Sequence, residues 1–335
     1  KEMERTDAFT KETRVMLEDE ILKFPVEKMQ DPDGGFFGQM KEDGTLDENE
    51  PREVVLNARI LWTYAAGYRI LKKKEYLMTA TRTKDFFVEH FVDHKYGGVY
   101  WSLNPDGSRL DTGKRFRAIG AAIYGLSEYV LATGDESVMT YAVNLFETAE
   151  KEGFDPVTGL YRDMKSREWG DAEPQKSEVF CTHLNILEGY TNLYKVWKED
   201  RLRSRIIYLL SVFTDKLLSD PSVGQEYSCK HIVEASWQML KAAFAVRDIY
   251  VIDKVRPLVQ QLLSKAAEGD CGSQSCEKAE KIVADLWSWK YLNDTGAAAR
   301  ALESWDFLKK GEKDGKSGNC VFRMARMCVE VSEMF

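Results

Sequence analysis

Apolar and polar positions repeat with a helical period along almost the whole chain, and the periodic stretches fall in pairs. Helices are predicted at 10–29, 51–73, 75–93, 114–133, 135–151, 177–197, 199–219, 229–248, 251–267, 277–293, 296–310 and 319–334. Many are joined by tight polar turns, such as Thr133-Gly134-Asp135 and Lys198-Glu199-Asp200, the short links that connect antiparallel neighbours. Two helix types alternate. Val54 to Trp62 is apolar nearly all round, as in a helix buried on both sides, whereas 135–151 is amphipathic. Six such pairs predict an all-α fold, an (α/α)6 barrel. Longer connections fall on the other rim. Gly34-Gly35-Phe36-Phe37-Gly38 followed by Glu42-Asp43-Gly44 is echoed by Gly97-Gly98-Val99-Tyr100-Trp101 followed by Pro105-Asp106-Gly107. Each reads as an aromatic strand and an Asp-Gly hairpin turn, an internal repeat of the kind that marks a closed or stacked array. The rim loop from Gly153 to Gln175 is long and polar, while the last three are short and predict a low or open wall. No linker divides the chain, so residues 1–335 read as one domain.

Composition changes this picture little. Apolar residues make up 44% and charged residues 30%, with a net charge of −8 spread over interleaved acids and bases. That balance disfavours nucleic acid or a membrane surface as partner. No apolar run reaches the roughly 18 residues of a membrane span. The opening Lys1-Glu-Met-Glu-Arg5 is charged and has no signal-peptide core, and a start without Met is what a trimmed chain shows. A cytoplasmic protein is expected, acting as monomer or homodimer on a small molecule. Six cysteines are too few for a disulfide scaffold at this length. Cys271 and Cys276 could close a loop under oxidation, but free thiols are the expectation, and no metal or cofactor is called for.

Candidate chemistry sits on the apolar helices. His231 and Glu234, three apart, share a helix face, where a carboxylate can orient an imidazole; they equally fit a buried His–Glu pair with no catalytic role. Trp237 lies near enough to wall a pocket. The Thr182-His183-Leu184-Asn185-Ile186-Leu187-Glu188 stretch puts polar groups on a second apolar helix, where they must bond one another or line a wet cavity. Arg59 makes that argument more strongly, since its charge cannot be shed and calls for a carboxylate or a ligand oxygen. Lys114 and Arg115 read as solvated surface charge, with Arg117 at the point where its helix turns apolar. His90 and His94 are spaced as metal ligands can be, without a third ligand nearby.

Five stretches resemble the N-acylglucosamine 2-epimerase superfamily, closest to its cellobiose 2-epimerase branch: Asp33 to Gly38, Leu56 to Trp62, Ile123 to Tyr129, Thr182 to Tyr194, and His231 to Trp237. The resemblance covers the chain nearly end to end. It implies an (α/α)6 barrel, no obligatory metal and aldose chemistry at C2. It implies His231 as an acid–base residue with Glu234 as its partner and Arg59 as oxyanion stabiliser; Asn57, Phe37, Asn185, Glu188 and Trp237 are expected as substrate contacts. Departures from the family pattern are as informative. Where the family reads similar to Cys-Pro-Tyr-His-Asn-Ser-Arg-Met-Cys, this chain has Cys320-Val-Phe-Arg323-Met-Ala-Arg326-Met-Cys328, so an arginine stands for the second catalytic histidine. The usual His-Leu-His is His183-Leu184-Asn185, and Arg117 replaces a tyrosine ahead of Ile123-Tyr124-Gly125-Leu126. The expected function is a divergent epimerase/isomerase using His231 on an anionic substrate bound by Arg117 and Arg323. Two alternatives stay open: a working sugar 2-epimerase with His183 as second base, and a non-catalytic pseudoenzyme that binds a ligand or partner.

Overall fold

A computed structural model describes residues 2–37, 39–40, 45–219, 227–269, 271, 275–310 and 318–335. Among these, the chain forms two compact units: Glu20–Lys198 with Ser317–Phe322, which carries all the strands, and Lys1–Asp19 with Glu199–Lys316 and Arg323–Phe335, which is helical. Both units are discontinuous in sequence.

In the strand-bearing unit, α2 (Lys23–Lys28) leads to the two-residue strands β1 (Gln39–Met40), β2 (Leu46–Asp47) and β3 (Arg52–Glu53). Three long helices follow, α3 (Val54–Leu71), α5 (Phe116–Thr133) and α7 (Val179–Tyr194), packed side by side as the core. Almost every residue of these three between Val54 and Gly67, Phe116 and Val130, and Phe180 and Leu193 is buried. The amphipathic helices α4 (Lys74–Phe86) and α6 (Glu136–Thr148) cover α3 and α5. The turn from α5 into α6 shows how locally this is encoded: Gly134 takes the left-handed conformation that ends one helix, and the Asp135 side chain accepts the Ser137 and Val138 N–H groups that open the next. The second predicted hairpin forms as expected, with β4 (Ser102–Leu103) antiparallel to β5 (Arg109–Asp111) across the Asp106-Gly107 turn, and β3 added on the other edge of β4. Strand β6 (Lys114–Arg115) pairs with β9 (Met164–Lys165), and β7 (Phe154–Asp155) with β8 (Leu160–Tyr161) inside the long polar loop. The Glu42-Asp43-Gly44 turn lies outside the described residues.

The helical unit holds α1 (Glu2–Met16), α8 (Asp200–Val212), α9 (Cys229–Val246), α10 (Ile249–Glu268), α11 (Ser275–Tyr291) and α12 (Ala297–Lys310). Here α9 and α11 pack together, α10 lies on α9 and α12 on α11. The last helix, α13 (Gly318–Met334), gives its first residues to the strand-bearing unit and the rest to the helical one. The three short late loops lie mostly outside the described residues.

Three expectations need correction. The predicted helix 10–29 starts earlier and breaks into α1, a wide turn at Leu17–Ile21 and α2, because Pro25 has no N–H to continue the ladder. Lys114 is fully buried rather than solvated: its Nζ meets Asp93 Oδ2 at 3.0 Å and lies 4.5 Å from the Trp169 ring. The cysteines are not all free. Cys229, opening α9, is joined in a disulfide to Cys271, just past the end of α10, with Cα atoms 5.1 Å apart, and Cys276 is not part of that link.

Candidate active site

In the helical unit, helical spacing puts Glu234, Gln238 and Lys241 on one face of α9 and Arg323, Arg326 and Glu330 on one face of α13. The two faces meet through charge. Arg323 Nη1 donates to Glu234 Oε2 at 2.7 Å and to Glu280 Oε1 of α11 at 3.1 Å. Arg326 Nη2 donates to Glu234 Oε1 at 3.0 Å and to Glu280 Oε1 at 2.6 Å. Trp237 closes the group: its Nε1–H reaches Glu280 Oε2 at 2.8 Å and its ring lies 4.8 Å from the Arg326 guanidinium. One turn further along, Lys241 pairs with Glu330, which also accepts the Trp287 Nε1–H at 3.3 Å.

Two guanidiniums and two carboxylates thus form a quartet with no net charge. Burial works against the charged form of Arg323, yet the adjoining Glu234 and Glu280 carboxylates more than offset it and hold its pKa above the ordinary arginine value. Arg323 is a permanent cation here. It cannot exchange protons near neutral pH.

His231 stands on the same helix one turn before Glu234, partly exposed. Its Nδ1 is hydrogen-bonded to Ser228 Oγ at 2.8 Å, so the hydroxyl that would otherwise cap α9 is spent on the imidazole. The Glu234 carboxylate, expected to orient His231, is bridged by Arg323 and Arg326.

The strand-bearing unit holds the remaining candidates. Arg59 is buried on α3, donates from Nη1 to Asn319 Oδ1 at 2.7 Å and lies 5.0 Å from the Phe322 ring. Asn57 donates to the Glu53 carbonyl at 2.9 Å, while Asn185 and Glu188 are buried on α7. Phe37 lies 5.2 Å from the Arg52 guanidinium. His183 is completely buried, with both ring nitrogens engaged by backbone. Its Nε2 receives the Tyr161 N–H at 3.1 Å, so the proton must sit on Nδ1, which donates to the Val179 carbonyl at 2.7 Å. These bonds select a neutral imidazole. Arg117 and Arg115 bond the two oxygens of Glu178, each at 3.2 Å.

Glu280 and Arg326 were not singled out from the sequence. The criterion that found Arg59, a charge in register with apolar positions, applies to both: Glu280 lies in line with Val283, Ala284 and Trp287, and Arg326 stands amid Ala325, Met327 and Cys328.

The model of the N-acylglucosamine 2-epimerase (GlcNAc 2-epimerase) family matches residues 35–257. The chain is 36% identical to a cellobiose 2-epimerase of Bacteroides fragilis over 373 aligned positions, covering 93% of this chain and 95% of that protein. The solved structure of cellobiose 2-epimerase from Bacillus thermoamylovorans superposes with a TM-score of 0.87 at 26% identity, covering 98% of this chain and 100% of the other. A D-mannose isomerase structure superposes with a TM-score of 0.81 at 17% identity and 98% coverage of both, a likeness of fold. The all-α, (α/α)6 class predicted from helix pairing is the fold class of this chain.

Proposed function

The chain belongs to the N-acylglucosamine 2-epimerase family, and on that premise we propose that it is a sugar epimerase/isomerase-type enzyme that moves the proton on the carbon beside an aldose carbonyl, with His231 as its single proton-transfer base. The observation that carries this reading is the quartet. Inverting C2 needs a base on one face and an acid on the other. Arg323, at the position where the resemblance implies the second histidine, is tied to Glu234 and Glu280 and keeps its proton. His183 offers no substitute, because its Nε2 lone pair already accepts the Tyr161 N–H.

One base suffices for aldose–ketose isomerisation. The His231 tautomer that donates Nδ1–H to Ser228 Oγ is the one that presents Nε2 as the basic site. It takes the C2 proton; the C–H electrons form the C1–C2 double bond and the carbonyl oxygen becomes an enolate. The O2 hydroxyl proton passes to O1, and return of the abstracted proton to C1, as the O2 electrons form the C2 carbonyl, gives the ketose. The oxyanion role that the resemblance implies for Arg59 is a separate proposal, supported by a permanent guanidinium charge carried on the buried helix α3.

Arg323 no longer supports an anionic substrate, since two carboxylates already meet its charge. What remains for an anion is Arg117 and its neighbour Arg115. A second reading, C2 epimerisation, is favoured by the 36% identity to the Bacteroides fragilis cellobiose 2-epimerase.

Proton NMR in D2O with cellobiose, mannose and an acidic aldose separates the two. Loss of the C2 proton signal with ketose formation, abolished in His231→Ala, is the expected result. Formation of the C2 epimer as main product would overturn the one-base reading, and neither exchange nor ketose nor epimer with any sugar would overturn sugar proton transfer altogether.

A further inference from the structure

We propose that Arg115 and Arg117, seated on Trp101, form an oxyanion subsite that takes the carboxylate or phosphate of an acidic sugar. The proposal deepens the sugar-enzyme reading and rests on it for the sugar part of the ligand.

The argument begins with charge. Two guanidiniums share one carboxylate: Arg115 Nη1 meets Glu178 Oε2 and Arg117 Nη1 meets Glu178 Oε1, each at 3.2 Å. Among the described residues, one positive charge is left over within hydrogen-bond reach. Each guanidinium has five N–H donors and spends one here. The nearby Asp163 carboxylate is taken by the Glu178 N–H and the Ser177 and Thr182 hydroxyls.

Position makes the surplus costly. Arg115 is the N-cap of the 18-residue helix α5 and Arg117 lies in its first turn. Cations there oppose the helix dipole, whereas an anion would be stabilised by it. Glu178, as N-cap of α7, is favourably placed but supplies one charge for two.

Geometry then argues for a specific ligand group. Both guanidiniums lie over Trp101, at 4.4 Å for Arg115 and 5.7 Å for Arg117. Stacking fixes the planes of the two forks, and a fixed fork suits the paired oxygens of a carboxylate or phosphate better than a mobile ammonium does. All three side chains are partly exposed, with Arg115 at 19%, Arg117 at 23% and Glu178 at 22%; each arginine Nε–H is buried without a partner, so the terminal Nη donors are the ones a ligand would meet. Trp101 adds a flat apolar surface of the kind on which a sugar ring packs.

The test is calorimetric titration of the full chain with glucuronate, glucose 6-phosphate and glucose. At least one acidic sugar is expected to bind ~10-fold more tightly than glucose, the scale of one added charge-assisted contact. Which one wins separates carboxylate from phosphate. The preference should vanish in Arg117→Gln and Arg115→Gln and survive in part in Arg117→Lys. Glu178→Gln should tighten acidic sugars, an effect that a merely structural ion pair would not give. Should the arginine variants fail to fold, Glu178→Gln and displacement by inorganic phosphate still decide the matter. Equal binding of all three sugars, or no gain in Glu178→Gln, overturns the subsite. Failure of proton transfer is separable: arginine-dependent binding without C2 exchange keeps the subsite and removes the reaction, while exchange on neutral sugar alone does the reverse.

Discussion

Asp285, on α11, carries a buried carboxylate oxygen with no hydrogen-bond partner, and its other oxygen meets Arg300 Nε only at 3.4 Å. Desolvation outweighs the attraction of Arg300 and Lys281, so its pKa is raised from 3.8 to about 6. Because the folded state holds the proton more tightly, stability is unaffected below the unfolded pKa, falls as pH rises from about 4 to about 6, and carries the full penalty above. A shift of this size corresponds to about 2–3 kcal/mol. Asp285→Asn should therefore be the more stable protein at pH 7.5 and no more stable than the parent at pH 4, as urea unfolding at both values would show. A parent advantage at pH 7.5 would contradict the raised pKa. Residues like this one were silent in the sequence, because an acid on a helix face does not announce whether a cation lies opposite. His231 to Trp237 and Arg59 stood out through motif and isolation. The partners that decide their chemistry, Glu280 and Arg326 for Glu234 and Asn319 for Arg59, come from distant helices and needed the packing.

Helices α3, α5 and α7 approach more closely than ordinary side chains allow, and glycine is the reason. A Cβ on Gly120 of α5 would fall 2.5 Å from the Asn185 carbonyl oxygen of α7, and one on Gly125 would fall 2.5 Å from the Ala58 carbonyl oxygen of α3. Both obstacles are backbone and cannot rotate away. Gly120→Ala should cost about 1–3 kcal/mol despite alanine's better helix propensity, because the helices must part. A thermal melt showing Gly120→Ala at or above the parent would refute the close-packing account. At this scale the sequence was most readable: twelve periodic stretches correspond to helices α1 and α3–α13, with α2 split from the first by Pro25. What periodicity could not give is how the amphipathic helices finish. The helices α1, α4, α6 and α8 each run into a wide five-residue turn, at Leu17–Ile21, Phe87–Phe91, Ala149–Gly153 and Phe213–Leu217. Such turns keep a helix-like pattern of side chains, so the predicted helices simply ran through them.

For the whole chain, fold class was legible because periodicity and motif resemblance agreed over its full length, whereas covalent connectivity was not. Cysteines adjacent in sequence, Cys271 and Cys276, drew notice as a possible pair, while the actual partners lie 42 residues apart. Their meeting depends on α10 lying antiparallel on α9, so that the end of one returns to the start of the other, two residues from His231. Closing a loop of that length restricts the unfolded chain by about 4 kcal/mol on the chain-entropy account, with about 2–4 kcal/mol typical in practice. Six cysteines with one disulfide leave four thiols, Cys181, Cys276, Cys320 and Cys328. Thiol titration of the denatured, unreduced protein should therefore count four and rise to six after reduction. Reduction, or Cys229→Ser, should lower the urea midpoint by an amount matching that range, and Cys276→Ser should leave it unchanged. Six thiols before reduction would mean that the protein folds without the link, and the stability difference between the parent and Cys229→Ser should then vanish as well.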